Sequence, residues 1–350
     1  MFSGAARMCQ KVCGRVFIGL LVVVCAVFLL MTTGGLVGRG QHIVKHNQLT
    51  TTDNRTSPVA SRRRYSTSDE MRYILYGVGD DRFSPYDQQL GEFIRSHITE
   101  PSPTRPRQLA RPQKTDVSQV GQSTFVDRLL SGRRNGFFVE CGAADGKTFS
   151  NSLFFELERN WTGLLIEANE GYHRALLDVN RRAYVLQSCL STERRPANVR
   201  MQPAGLLGGI ADKIHPSHSA FIGNNKKPEL SVNCFPLNTI MAALDVSHVD
   251  YLSLDVEGPE LEILRTVDWT RLHIDVITVE YRIFGGPKIG IDKPATLKKL
   301  EDLRQFFRET GIYREVAFLP AASEAGGLDV VFSRIDYLPN VTTNRNDLRR

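Results

Sequence analysis

Gly136-Phe-Phe-Val-Glu-Cys-Gly-Ala-Ala-Asp-Gly146 is an apolar run that breaks into a turn of small residues. A continuous apolar run of this length fits a parallel strand buried on both faces. Small residues after it let a ligand approach the backbone closely, and glycine adopts torsions closed to other residues. In open α/β sheets, ligands bind at this carboxyl edge. Glu140, Gly142, Asp145 and Gly146 are therefore candidate ligand contacts.

Working outward, the pattern predicts a helix with Ser150 as its cap and Leu153, Phe154 and Leu157 on one face. Thr162-Gly-Leu-Leu-Ile-Glu167 and Ala183-Tyr-Val-Leu-Gln-Ser188 read as the second and third strands, with a helix over 172–179 between them. Residues 192–230 are polar and glycine-rich, and read as a lid or substrate loop. A helix over 237–244 follows, then the strands Val249-Asp-Tyr-Leu-Ser-Leu-Asp255 and Ile274-Asp-Val-Ile-Thr-Val-Glu280. Pro259 suits the first turn of the helix between them. A long helix over 294–307 precedes two strands, 313–319 and 328–332, joined without a helix. Alternating strand and helix implies an α/β fold with a parallel sheet. The closing pair adds an antiparallel edge hairpin, which the dinucleotide-binding Rossmann fold lacks and class I methyltransferases have.

Glu167 ends the second strand about 20 residues beyond Gly146, where an acidic residue receives the ribose hydroxyls of an adenosine ligand. No GxxxxGK[ST] motif is present, and carboxylates suit a cationic sulfonium better than a pyrophosphate. S-adenosylmethionine is the expected cofactor. Asp255 and Glu257, in Asp255-Val-Glu-Gly-Pro-Glu260, open onto the same edge and are the expected catalytic residues. They either accept a hydroxyl proton or orient a sugar-like acceptor. Glu280 either joins them or pairs with Arg282. With three carboxylates a divalent metal is an alternative, but none is assigned.

The net charge of +6 on 350 residues forms no basic face, so no nucleic-acid partner is expected. Residues 16–38 carry no charge. At roughly 1.5 Å per residue they reach about 34 Å, enough for a hydrocarbon core of about 30 Å. They read as a single transmembrane signal-anchor, with cleavage at Thr32-Thr-Gly-Gly35 the alternative. Arg7, Lys11 and Arg15 before the span place residues 1–15 in the cytosol. Asn54, Asn160 and Asn340, each in an Asn-x-Thr triplet, all follow it, and Asn54 is the best glycosylation acceptor. Residues 39–115 read as a mostly disordered stem with a short helix over 86–98, in which Leu90, Phe93 and Ile94 share a face. The folded domain spans 116–337 and a tail 338–350. Among six cysteines none has CxxC spacing. Cys9 and Cys13 are palmitoylation sites or free thiols; among Cys141, Cys189 and Cys234 at most one disulfide can form, and their apolar neighbours argue for packed thiols.

Phe138-Val-Glu-Cys-Gly-Ala-Ala-Asp-Gly146, Gly163-Leu-Leu-Ile-Glu167 and Leu254-Asp-Val-Glu-Gly-Pro-Glu260 together resemble the FkbM family of methyltransferases. That resemblance implies S-adenosylmethionine-dependent O-methyl transfer. Asp116-Val-Ser-Gln-Val-Gly-Gln122, Ser150-Asn-Ser-Leu-Phe-Phe-Glu156, Trp161-Thr-Gly-Leu-Leu-Ile-Glu167 and the anchor are similar to the Star-like proteins of animals. This second resemblance implies a secretory-pathway protein of the endoplasmic reticulum, Golgi, endosome or plasma membrane. Its partners would be membrane-tethered ligands of the epidermal growth factor receptor, and its domain need not catalyse. The acceptor, the cargo and the oligomeric state stay open.

Overall fold

The computed structural model describes residues 84–109, 115–223, 226–285, 290–320 and 323–337. Among them no helix is long and apolar enough to cross a membrane. The expected anchor over 16–38, the acceptors Asn54 and Asn340, and the tail lie outside the described residues.

Five strands run parallel at the centre. They are β2 (Phe137–Cys141), β3 (Thr162–Glu167), β4 (Tyr184–Gln187), β9 (His248–Leu254) and β10 (His273–Glu280). With β1 (Ile98–Thr99), β11 (Tyr313–Leu319) and β12 (Asp329–Arg334), the sheet order is β1-β4-β3-β2-β9-β10-β12-β11. Strand β12 lies antiparallel between β10 and β11, and pairs Glu280 with Asp329. This is the expected α/β class I methyltransferase-like sheet with its antiparallel edge.

Alternation along each strand builds two cores. Val139, Leu252, Ile277 and Val279 face one side, with the helices α1 (Gln88–His97), α6 (Leu237–Ala243), α7 (Glu260–Thr266) and α8 (Lys293–Thr310). Phe138, Tyr251, Val276 and Val331 face the other, with α2 (Gln122–Leu129), α3 (Leu153–Glu158) and α4 (Glu170–Val179). Both faces are covered, so the strand sequences are mostly apolar. Helix α1 and strand β1 fall in the segment read as stem. Leu90, Phe93 and Ile94 are buried against α6, and β1 pairs antiparallel with β4. Asp87 caps α1 by accepting from the Leu90 amide at 2.9 Å.

Residues 192–230, expected to be a loop, carry their own small sheet. It consists of β5 (Cys189–Leu190), β6 (Ala197–Gln202), β7 (Gly209–Ile210) and β8 (Leu230–Phe235), in the order β5-β8-β6-β7, with α5 (Pro216–Ile222). Strands β5 and β7 are only two residues long, and β6 and β8 are half exposed, so periodicity gives little signal. Parallel pairing sets Cys189 opposite Cys234, and the two form a disulfide. This corrects the expectation of packed thiols at both positions: a sequence separation of 45 hides a pairing that only strand register creates. Cys141 is free and buried.

Candidate functional site

The chain leaves β2 at Gly142, whose φ is +80°. A side chain is excluded there, because a Cβ would lie 1.9 Å from the Asp255 carbonyl oxygen. The turn from β2 is thus pressed against the end of β9. Gly146 also has positive φ, and a Cβ on it would meet Leu176 of α4 at 2.2 Å. The amides of Gly142 and Ala143 both donate to the Ile166 carbonyl, at 3.0 and 3.1 Å.

Glu167, at the end of β3, bridges two loops. Its Oε2 accepts from the Ala144 amide and its Oε1 from the Asn169 amide, each at 2.7 Å. Each carboxylate oxygen keeps a further acceptor position. Burial raises the pKa of Glu167, opposed by the backbone amides of Asn169, Ala144 and Ala168. Tyr172, in the first turn of α4, was not anticipated. Burial first, then the charges of Glu167 and Asp145, push its hydroxyl up to about 12.

Two expected cofactor contacts are occupied by the chain itself. Glu140 accepts from Ser150 Oγ at 2.9 Å, from the Asn151 amide at 2.7 Å, and from Ser152 Oγ. Asp145 accepts from the amides of Lys147 and Thr148 at 3.1 and 2.7 Å, and from Thr148 Oγ1 at 2.8 Å. A turn leaving a buried strand has backbone donors to satisfy, and these two acids satisfy them. Behind Glu140 lies the fully buried Arg181, another residue the sequence reading passed over. It donates to Glu156 Oε2 at 2.6 Å, to the Gly146 carbonyl at 2.5 Å, and to Ser150 and Ser152 Oγ at 3.2 and 3.0 Å.

On the other side of Gly142, Asp255 follows the last residue of β9, and its amide donates to the Cys141 carbonyl at 3.3 Å. Glu257 takes a left-handed φ of +62°, uncommon for a residue with a side chain. Glu260 holds this turn: its Oε1 accepts from the amides of Val256 and Gly258 at 3.2 and 3.0 Å, and Lys299 lies 2.7 Å from its Oε2. Glu280, at the end of β10, joins Asp255 and Glu257. The three offer carboxylate oxygens that all lie within 4.8 Å of one another. Arg282, the alternative partner of Glu280, donates instead to the carbonyls of Gly326 and Gly327.

Crowding of acids dominates the electrostatics. Burial, then Asp329 and Glu260, push Asp255 up to about 7. Burial and neighbouring carboxylates hold Glu257 and Glu280 well above the ordinary range. Asp329 is pushed up to about 6, chiefly by burial, although Gln122 donates to it at 2.7 Å. His218, on α5, sets Nδ1 3.5 Å from Glu257 Oε2, and burial followed by Lys299 lowers it to about 4. A half-buried carboxyl near neutrality exchanges a proton readily at physiological pH. His218, Lys299 and Asp329 come from distant elements, and no local spacing marks them.

Residues 140–312 match the family model described as Methyltransferase FkbM domain. No curated protein matches the chain. Among solved structures, the FkbM methyltransferase of Methylobacillus flagellatus is similar at 12% identity and a TM-score of 0.34, over 57% of this chain and 43% of that one. The chain therefore spans less than half of that protein's length. Fibrillarin from Aeropyrum pernix, with natively bound S-adenosyl-L-methionine, is similar at 11% identity and a TM-score of 0.34, over 66% of this chain and 85% of that one. The fibrillarin pre-rRNA processing protein of Methanococcus jannaschii is similar at 14% identity and a TM-score of 0.33, over 65% and 87%.

Proposed function

We propose that this chain, which carries an FkbM-type methyltransferase domain over residues 140–312, is a membrane-anchored S-adenosylmethionine-dependent O-methyltransferase of the secretory pathway. The observation that carries this reading is convergence. The glycine turn after β2, Glu167 at the end of β3 and Asp255 after β9 meet at one edge of the sheet.

The residues fit the cofactor. Gly142 is exposed, and its missing side chain makes room for the Asp255 carbonyl, which brings the turn after β2 and the end of β9 together. Glu167 is anchored by two amides and retains acceptor capacity for ribose hydroxyls. Bound there, S-adenosylmethionine supplies a methyl group made electrophilic by its sulfonium. Asp255 takes the proton of the acceptor hydroxyl, and Glu257 orients that hydroxyl. Methyl transfer is a displacement, so alignment of the acceptor supplies much of the rate.

Glu167→Ala removes charge-assisted hydrogen bonds worth about 1.5–3 kcal/mol. Cofactor affinity should fall about 10- to 150-fold. Calorimetry of the full-length chain with S-adenosylmethionine measures this. No binding by the wild type, or unchanged affinity in a folded Glu167→Ala protein, overturns the assignment.

Two features support a domain on the far side of a membrane. Arg7, Lys11 and Arg15 precede the uncharged span, and Cys189–Cys234 is a disulfide, a bond that persists in oxidising compartments. Protease added to sealed microsomes should leave the domain intact until detergent opens them. Digestion before detergent contradicts the orientation.

A second reading is an anchored, non-catalytic escort for a membrane-tethered growth-factor cargo. One observation favours it: the carboxylates of Glu140 and Asp145 each accept three hydrogen bonds from the chain's own groups, so both have a structural role that needs no cofactor. Under this reading the pocket is a relic, and cargo delivery depends on the folded domain alone.

A further inference from the structure

We propose that Asp255, Glu257 and Glu280, with His218 beside them, bind one divalent cation of the Mg2+/Mn2+ class. The sequence leaves a divalent metal on three such carboxylates as an alternative, and the strand register brings these groups together. Asp255 follows β9, Glu257 lies in the turn beyond it, and Glu280 ends the neighbouring strand β10. One carboxylate oxygen from each lies within 4.8 Å of the other two. A cation with bonds of about 2.1 Å spans about 4.2 Å between opposite ligands, so small side-chain rotations close the site.

A separate element points into the same place. His218, from α5 in the inserted segment, is 3% exposed, and its Nε2 is buried without a hydrogen-bond partner. Its Nδ1 faces Glu257 Oε2 at 3.5 Å. Glu257 Oε2 and Glu280 Oε2 are likewise buried and without partners. Unpaired polar atoms in an interior are costly, and buried charges are met by a counter-charge or a metal. The nearby cations have closer commitments. Lys299 is paired with Glu260, and Arg282 donates to the Gly326 and Gly327 carbonyls.

The donor set selects the ion class. Carboxylate oxygens suit Mg2+, Ca2+ and Mn2+, while an adjacent imidazole favours Mn2+ over the other two. Three protein oxygens leave open positions on a six-coordinate ion, and Asp255 is half-buried at the edge that the acceptor would approach. The role of the ion rests on the methyltransferase reading: it would hold and acidify the acceptor hydroxyl. The second oxygen of Asp255 remains to receive the proton. The existence of the site does not rest on that reading.

The experiment is a Mn2+ titration of the chelator-stripped full-length chain without S-adenosylmethionine, followed by the electron paramagnetic resonance signal of free Mn2+. One equivalent should bind. Glu280→Gln and, separately, Glu257→Gln should each weaken binding more than about 100-fold, and His218→Ala about 10- to 100-fold. Thermal unfolding verifies that each variant is folded, and both Gln variants relieve repulsion between acids. Absence of bound Mn2+ in the wild type overturns the proposal. So does binding that survives both Gln variants, which marks an adventitious surface ion. Cofactor calorimetry in excess chelator is scored separately. Cofactor binding without Mn2+ binding fails only the metal site, and Mn2+ binding without cofactor binding fails only the methyltransferase reading.

Discussion

Asp255→Asn is expected to lower methyl transfer to an acceptor hydroxyl by about 10²–10⁴-fold, the usual contribution of a positioned general base. Cofactor affinity should change little, because Gly142 and Glu167 lie on β2 and β3 while Asp255 follows β9. Stability should hold or rise. Asp255 is crowded by Asp329 and Glu260, and an uncharged amide of the same shape removes that repulsion. A rate loss therefore cannot be ascribed to unfolding. The measurement is paired in the same cells: methyl incorporation from labelled cofactor, and surface delivery of a membrane-tethered growth-factor ligand. Loss of incorporation with normal delivery supports the enzyme. No incorporation by the wild type, with delivery that needs the folded domain, supports the escort and removes the catalytic role of Asp255.

Arg181→Met should be the most destabilising change near the site. The guanidinium has no solvent exposure and holds Glu156, the Gly146 carbonyl and two serines that cap Glu140. Breaking a buried ion pair by removing one partner costs about 3–5 kcal/mol. Glu156 keeps Arg107 at 2.6 Å and the Arg182 amide at 2.9 Å, which favours the lower end. At about 2–4 °C per kcal/mol for a domain of this size, Tm should fall on the order of 10 °C. Cofactor affinity should fall with it, since the glycine turn loses its support. Arg107→Ala is the control. Arg107 touches the same carboxylate but is partly exposed, and such pairs contribute about 1 kcal/mol or less. Equal losses of Tm in the two variants would show that Arg181 does not organise the turn.

Much of the architecture was legible because each central strand is a short, mostly apolar run, in most cases closed by a glycine or an acid. The segment 137–141, Thr162–Glu167 and His273–Glu280 are read this way, and the order of strands and helices then admits few topologies. Gly142, Glu167 and Asp255 were singled out by the same logic, since strand ends are where a parallel sheet presents ligands. The partners of the other residues were not legible in the sequence. Glu140 and Asp145 carry the right chemistry at the right edge, but their partners lie in the following loop, at Ser150, Asn151, Ser152 and Thr148. The inserted sheet escaped because its strands are either two residues long or half exposed, and the disulfide because register sets Cys189 against Cys234.

By itself, then, the sequence determined which segments form the central strands, that they run parallel with an antiparallel edge, and which acids end them. These properties are local, written in runs of apolar residues and the residues that stop them. Only the tertiary structure decided which acids meet. Glu280 stands beside Asp255 and Glu257 because β10 pairs in register with β9, and His218 arrives from an insertion that no periodicity announces. Charges from distant segments interact through space, and their energies depend on separations and burial that exist only after the chain has folded.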